Sequence, residues 1–122
     1  MYKLVILIEP LEDAQKFEDD WPEFLHKIER MPGLQREAIS RVEAFLYGPT
    51  PCARMHELYF DTLQAAEQAM ASQEGREAGQ LLRRMTGGKM TLFFAEHKED
   101  DLANIRKHQQ PPATVQPGAA PE

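Results

Sequence analysis

The chain carries a single cysteine, Cys52, among 122 residues. This excludes an internal disulfide framework and a cysteine-built zinc site. No apolar run approaches the ~20 residues of a membrane-spanning helix, so a membrane partner is not expected. Positive charge is in deficit, with 14 Lys and Arg against 20 Asp and Glu for a formal charge of −6. No Lys/Arg block stands out, which argues against a nucleic-acid partner. The N-terminus shows neither a basic segment nor a small-residue cleavage site. A signal peptide is therefore not expected, and a cytoplasmic location is the default. What the chain does have is 42% hydrophobic residues, enough for a core, in a length that suits one domain.

Four of the nine prolines (Pro111, Pro112, Pro117 and Pro121) fall after Gln109. Such a stretch has too little apolar surface to offset its ordering entropy, and it reads as a flexible tail. Residues 1–97 are the expected folded domain, with residues 98–122 a polar extension and Pro-rich tail. Leu4-Val5-Ile6-Leu7-Ile8 is short and apolar throughout, the pattern of a strand buried on both faces. Ala14, Phe17, Trp21, Phe24, Leu25 and Ile28 form one stripe at about 100° per residue, which predicts a helix over 12–30 with a kink or late restart at Pro22. Gln35–Tyr47 reads as a long strand, Met55–Phe60 as a third and Met90–His97 as a fourth. Asp61 and Gln64 suggest a capping box for a helix that weakens at Gly75, resumes, and stops at Gly87-Gly88.

The order β-α-β-β-α-β is the ferredoxin-like, split βαβ pattern, an α+β fold with an antiparallel four-stranded sheet. Its helices cover one face of the sheet, while the first and fourth strands read as apolar on both. A second copy stacked face to face would cover the remaining side, giving a homodimer in the form of a dimeric α+β barrel.

Three stretches carry a family likeness. They are the opening MYKLVILI, then Phe17-Glu18-Asp19-Asp20-Trp21 with His26 nine residues after Phe17, and Met55-His56-Glu57-Leu58-Tyr59-Phe60-Asp61 followed by Ala71-Ser72-Gln73-Glu74-Gly75 and Thr86-Gly87-Gly88. Together they resemble the EthD family of small bacterial proteins, named from ethyl tert-butyl ether degradation. Pro22 and Ile28 depart from the family's helix motif. The resemblance implies the dimeric α+β barrel and an association with cytochrome P450, ferredoxin and ferredoxin reductase operons. Barrel relatives include cofactor-free monooxygenases, muconolactone isomerases, polyketide-shaping enzymes and haem-binding proteins. It implies no settled reaction.

His26 matches the family's histidine and has the pKa range of a general acid or base. Helical phase sets it about 150° from the apolar stripe, facing solvent or a dimer rim. With Leu58 and Phe60 toward the helices, Glu57 and Tyr59 fall on the other face of the sheet. Arg41 and Glu43 read as the matching side of the second strand. Glu57, Tyr59, Arg41 and Glu43 could then line a space between two sheets, either as proton-transfer groups or as an ion-pair network that sets dimer register. His56, His97, Glu57 and Glu96 lack metal-ligand spacing, so no metal is expected. Nothing selects His26 or His97 as a haem ligand, and no cofactor is expected. Cys52 has no activating neighbour, and Trp21 reads as core. The RNP signature of an RNA-recognition module is missing.

Two functions remain open on the sequence. One is an enzyme acting on a small hydrophobic or aromatic compound in a catabolic pathway, by proton transfer, isomerisation or cofactor-free oxygenation. The other is a non-catalytic accessory or small-ligand-binding protein that supports a cytochrome P450 system.

Overall fold

The computed structural model describes residues 1–109, so the Pro-rich tail beyond them lies outside the described residues. Strand β1 (Tyr2–Ile8) leads to helix α1 (Ala14–Ile28), then to strands β2 (Arg36–Arg41) and β3 (Arg54–Phe60). Helices α2 (Leu63–Ala71) and α3 (Gln73–Thr86), strand β4 (Met90–Glu96) and helix α4 (Leu102–Gln109) follow. The sheet is antiparallel in the order β2-β3-β1-β4, the ferredoxin-like arrangement. Segment 98–108, read as polar extension, contains most of α4.

Alternation along the strands sorts the two faces. Leu4, Ile6 and Ile8 of β1 and Leu58 and Phe60 of β3 join Phe17, Trp21, Phe24 and Ile28 of α1 in the main core. Ala66 and Ala69 of α2 and Ala78, Leu81 and Leu82 of α3 complete it. Their cross-strand partners stand on the same side of the sheet. Lys3, Val5, Glu57 and Tyr59 therefore lie on the opposite, helix-free face, with Ala38, Phe93 and Ala95 beside them.

Helix α1 starts at Asp13, whose carboxylate accepts a hydrogen bond from the Lys16 amide, so an orphan first-turn donor is satisfied. It runs through Pro22 without ending. Pro22 is exposed, on the side where water can take the carbonyl that loses its donor. Thr62, one residue later than expected, caps α2 by accepting from the Ala65 amide. The chain breaks at Ser72, which ends α2 and caps α3 through the Gly75 amide. Gly87 closes α3 at φ +62°, a conformation glycine adopts without strain.

Strand β2 is half the expected length. It ends at Arg41, opposite Arg54, and residues 42–53 form a loop. Val42, Ala44 and Leu46 continue an alternating pattern, but Pro49 and Pro51 delay β3 to residue 54. A hairpin strand cannot outrun its partner, and Leu46 and Tyr47 are left 91% and 94% exposed.

The expected dimeric α+β barrel is corrected by the sheet itself. It is a single open layer, and its outer strands β2 and β4 have one neighbour each. The inference to a barrel took the second face as bare apolar surface. That face instead carries an ion pair between Lys3 and Glu57. Past β4 the chain turns back over it: the His97 ring lies edge-on to Tyr59 at 4.8 Å, and Glu99 accepts from Arg36 at 3.3 Å. Tyr59 is only 5% exposed within the single chain.

Candidate functional site

The site begins where three elements diverge. Strand β1 ends at Ile8, α1 begins at Ala14, and the β2–β3 pair ends at Arg41 and Arg54. The sheet and helix part here before the hydrophobic core closes, leaving a cleft of about 240 Å³. It is lined by Ile8, Glu9, Leu11, Ala14, Phe17, Glu18, Arg41, Val42, Ala53 and Arg54. Apolar side chains form most of its wall, with a few charged groups among them, the usual composition of a small-molecule site.

Arg54 is the most buried of these charges. Its guanidinium pairs with Glu18 and lies 5.1 Å from the Phe17 ring centroid and 4.6 Å from that of Trp21. A delocalised guanidinium against aromatic faces tolerates this depth where an ammonium would not.

Deeper in the same layer lies His56, 0% exposed and packed on Trp21 at 5.5 Å and Phe24 at 6.2 Å. Its Nε2 is 3.0 Å from a Glu37 carboxylate oxygen. Its Nδ1 is buried with no hydrogen-bond partner. The neutral tautomer that donates from Nε2 to Glu37 leaves only a lone pair unsatisfied. Protonation would add a buried donor with nothing to receive it. Burial accordingly pushes the His56 pKa down to about 4. Glu29 and Glu57 oppose the shift and Arg54 adds to it. Glu37 also hydrogen-bonds Glu29, and this contact raises the Glu29 pKa, with desolvation and the Glu37 charge acting in the same direction.

The residues singled out from the sequence fall in four separate places. Glu57 and Tyr59 are on the helix-free face, as expected. Glu57 is held by Lys3, and the Tyr59 ring by His97 and by Arg36 at 4.1 Å. Arg41 is corrected to the helix-side face, since it pairs across strands with Arg54, and it lines the cleft. Glu43 sits exposed in the loop after β2, so neither Arg41 nor Glu43 shares a chamber with Glu57 and Tyr59. Arg36 takes the position beside Tyr59 that had been read for Arg41. His26 is exposed on α1, with its Nε2 3.3 Å from Arg30. Cys52 donates weakly to the Arg54 carbonyl. Among the described residues, no three His, Cys, Asp or Glu side chains converge as metal ligands, and no helix is long and apolar enough to cross a membrane.

Sequence reasoning missed the buried histidine. The signal was present: with Leu58 and Phe60 facing the helices, alternation puts His56 on that face too, beneath Trp21 and Phe24. The cleft had no comparable signal, because Glu9, Leu11, Val42 and Ala53 come together only by folding.

An open, ferredoxin-like α+β sheet with a small cleft between its first helix and the strand ends defines the class of this protein. No family model matches the chain. It is 23% identical over 99 residues to an uncharacterized 11.0 kDa protein in the thcB-thcC intergenic region of Rhodococcus erythropolis, covering 80% of this chain and 96% of that one. Among solved structures it is similar to an ethyl tert-butyl ether degradation (EthD) family protein from Bacillus halodurans C-125. The identity there is 28%, with 80% of this chain and 99% of the other covered and a TM-score of 0.74. SnoaB, a cofactor-independent oxygenase from Streptomyces nogalater, shares the fold at 13% identity, 81% and 93% coverage and a TM-score of 0.58. A dimeric protein of unknown function from Bacteroides fragilis shares it at 16% identity, 79% and 95% coverage and a TM-score of 0.57.

Proposed function

We propose that this is an EthD-type protein whose function is to bind a small, mainly apolar molecule in the cleft between α1 and the ends of β1, β2 and β3. The observation that carries the reading is the cleft of about 240 Å³, walled by Ile8, Leu11, Phe17 and Val42 with Arg41 and Arg54 among them. At ~30 Å³ per water, it would hold about eight waters, which suits a single-ring compound. No His, Cys or Tyr lines it. A binding role accords with an accessory place beside a cytochrome P450 system, and Glu9 and Glu18 are the wall's groups that a proton-transfer role would use. Glu57 and Tyr59 belong in this reading to the network on the helix-free face, with Lys3, Arg36 and His97.

The test is an NMR titration with toluene. The amides of Ile8, Leu11 and Phe17 are expected to shift in a saturable way. Filling the mouth by Ala14→Trp is expected to weaken binding about tenfold or more, a loss of ~1.4 kcal/mol. Saturable shifts confined to another part of the molecule, or none at all, would remove the reading.

We also propose that the chain forms a homodimer. Phe93 on the helix-free face and Phe45, Leu46 and Tyr47 in the β2–β3 loop are all exposed, and a similar fold is dimeric in the Bacteroides fragilis protein. Sedimentation at micromolar concentration is expected to give twice the chain mass. A stable monomer would rule this out.

A further inference from the structure

The cleft also carries an arginine without an ion-pair partner, which points to what it takes, an inference that rests on the cleft being the binding site. Arg41 and Arg54 are directly opposite each other in the β2–β3 register. Like charges in that position repel. Arg54 is neutralised by Glu18, but Arg41 makes no ion pair among the described residues. Glu9 is the remaining charged group of the wall, and it too has no ion-pair partner there. It lies one residue past the end of β1, where its amide donates to the Lys89 carbonyl. Arg41 therefore stands beside a second arginine with no carboxylate bound to it, at the rim of an otherwise apolar hollow.

We propose that the cleft binds a small organic acid, with the apolar body against Ile8, Leu11 and Phe17 and the carboxylate on the Arg41 guanidinium. The planar fork of arginine matches a carboxylate with two parallel hydrogen bonds. The bound anion gives Arg41 the ion-pair partner it lacks among the described residues, and it relieves the repulsion between Arg41 and Arg54. The acid is recognised at one end by charge and at the other by shape, so the ring or chain can vary while the carboxylate cannot.

Three probes of one shape and different charge separate the alternatives: benzoate, benzyl alcohol and benzylamine, titrated by calorimetry or NMR at low salt. Benzoate is expected to bind about tenfold or more tighter than benzyl alcohol, with benzylamine weakest. Arg41→Gln is expected to bring benzoate down to the level of benzyl alcohol. Arg41 is exposed, and its removal ends a like-charge contact, so the thermal midpoint of this variant should not fall. Glu9→Gln should leave the preference for benzoate intact or increase it. Equal binding of the three probes, tighter binding of benzylamine, or a preference for benzoate that survives Arg41→Gln would overturn this inference and leave the cleft reading standing. Failure of all three probes to bind would remove both.

Discussion

Lowering the pH from 7 to 4 is expected to remove about 3 kcal/mol of folding stability through His56 alone. The imidazole has an ordinary pKa of 6.5 and is held at about 4 in the fold. Above pH 6.5 it is neutral in both states, and its contribution is complete. Between 6.5 and 4 the unfolded chain takes up a proton that the folded chain refuses. Each pH unit in that window therefore costs about 1.4 kcal/mol. The cause is local. Trp21 and Phe24 pack on the ring, and the Nδ1 atom has no acceptor to receive a proton's hydrogen bond. Glu29 works against the trend, because its raised pKa means that the fold holds a proton there which the unfolded chain releases as pH rises through its ordinary value. Its stabilisation is present at low pH and fades as pH rises through the folded pKa, so it blunts the acid loss. Urea unfolding followed from pH 7 to pH 4 measures the sum. His56→Phe keeps the packing, leaves Glu37 half-exposed, and should flatten the profile over this window. An imidazole that titrates near 6.5 by NMR, or a variant with the same slope as the parent, would show that burial does not govern this group.

Gly75→Ala is expected to cost roughly 3 kcal/mol or more, or to prevent folding, as steric conflicts in a packed interior do. An added Cβ would lie 2.7 Å from the Met70 carbonyl oxygen and 2.8 Å from the Met70 Cα, and closer still to the Ala69 carbonyl oxygen. All three atoms are backbone and cannot rotate away. They belong to the end of α2, which α3 approaches closely at the Ser72 break. Four residues on, Gly79 has nothing within 4 Å of the same position, so Gly79→Ala should stabilise by about 0.5–1 kcal/mol through helix propensity. Opposite signs from the same substitution on one helix, read by thermal or urea unfolding, would separate steric conflict from propensity. A tolerated Gly75→Ala would mean that α2 and α3 can move apart.

Much of this molecule was legible from periodicity. The apolar run of β1, the Phe17–Ile28 stripe of α1 and the Gly87 stop each depend on neighbours in sequence, and each formed as read. The faces of Glu57 and Tyr59 followed from the alternation that sends Leu58 and Phe60 inward. Arg41 was misplaced for a related reason. Its parity within β2 was correct, but which parity faces the helices is decided by the register with β3. There Arg41 meets Arg54 and Arg36 meets Tyr59. Reading β2 through to Tyr47 failed because strand length is set by the partner strand. The expected barrel failed because the polar network around Lys3, Glu57, Tyr59 and His97 involves side chains from both ends of the chain.

By itself, then, the sequence determined the order of the elements through β4, the ferredoxin-like α+β topology and the apolar layer beneath the helices, but neither the length of β2 nor helix α4. These follow from propensity and spacing along the chain. Only the tertiary structure decided the burial of His56 against two aromatic rings, the opposition of Arg41 and Arg54, and the cleft that opens beside them. Those features depend on which residues of distant strands come opposite one another, and pairing energy between strands is a property of the register rather than of either strand alone.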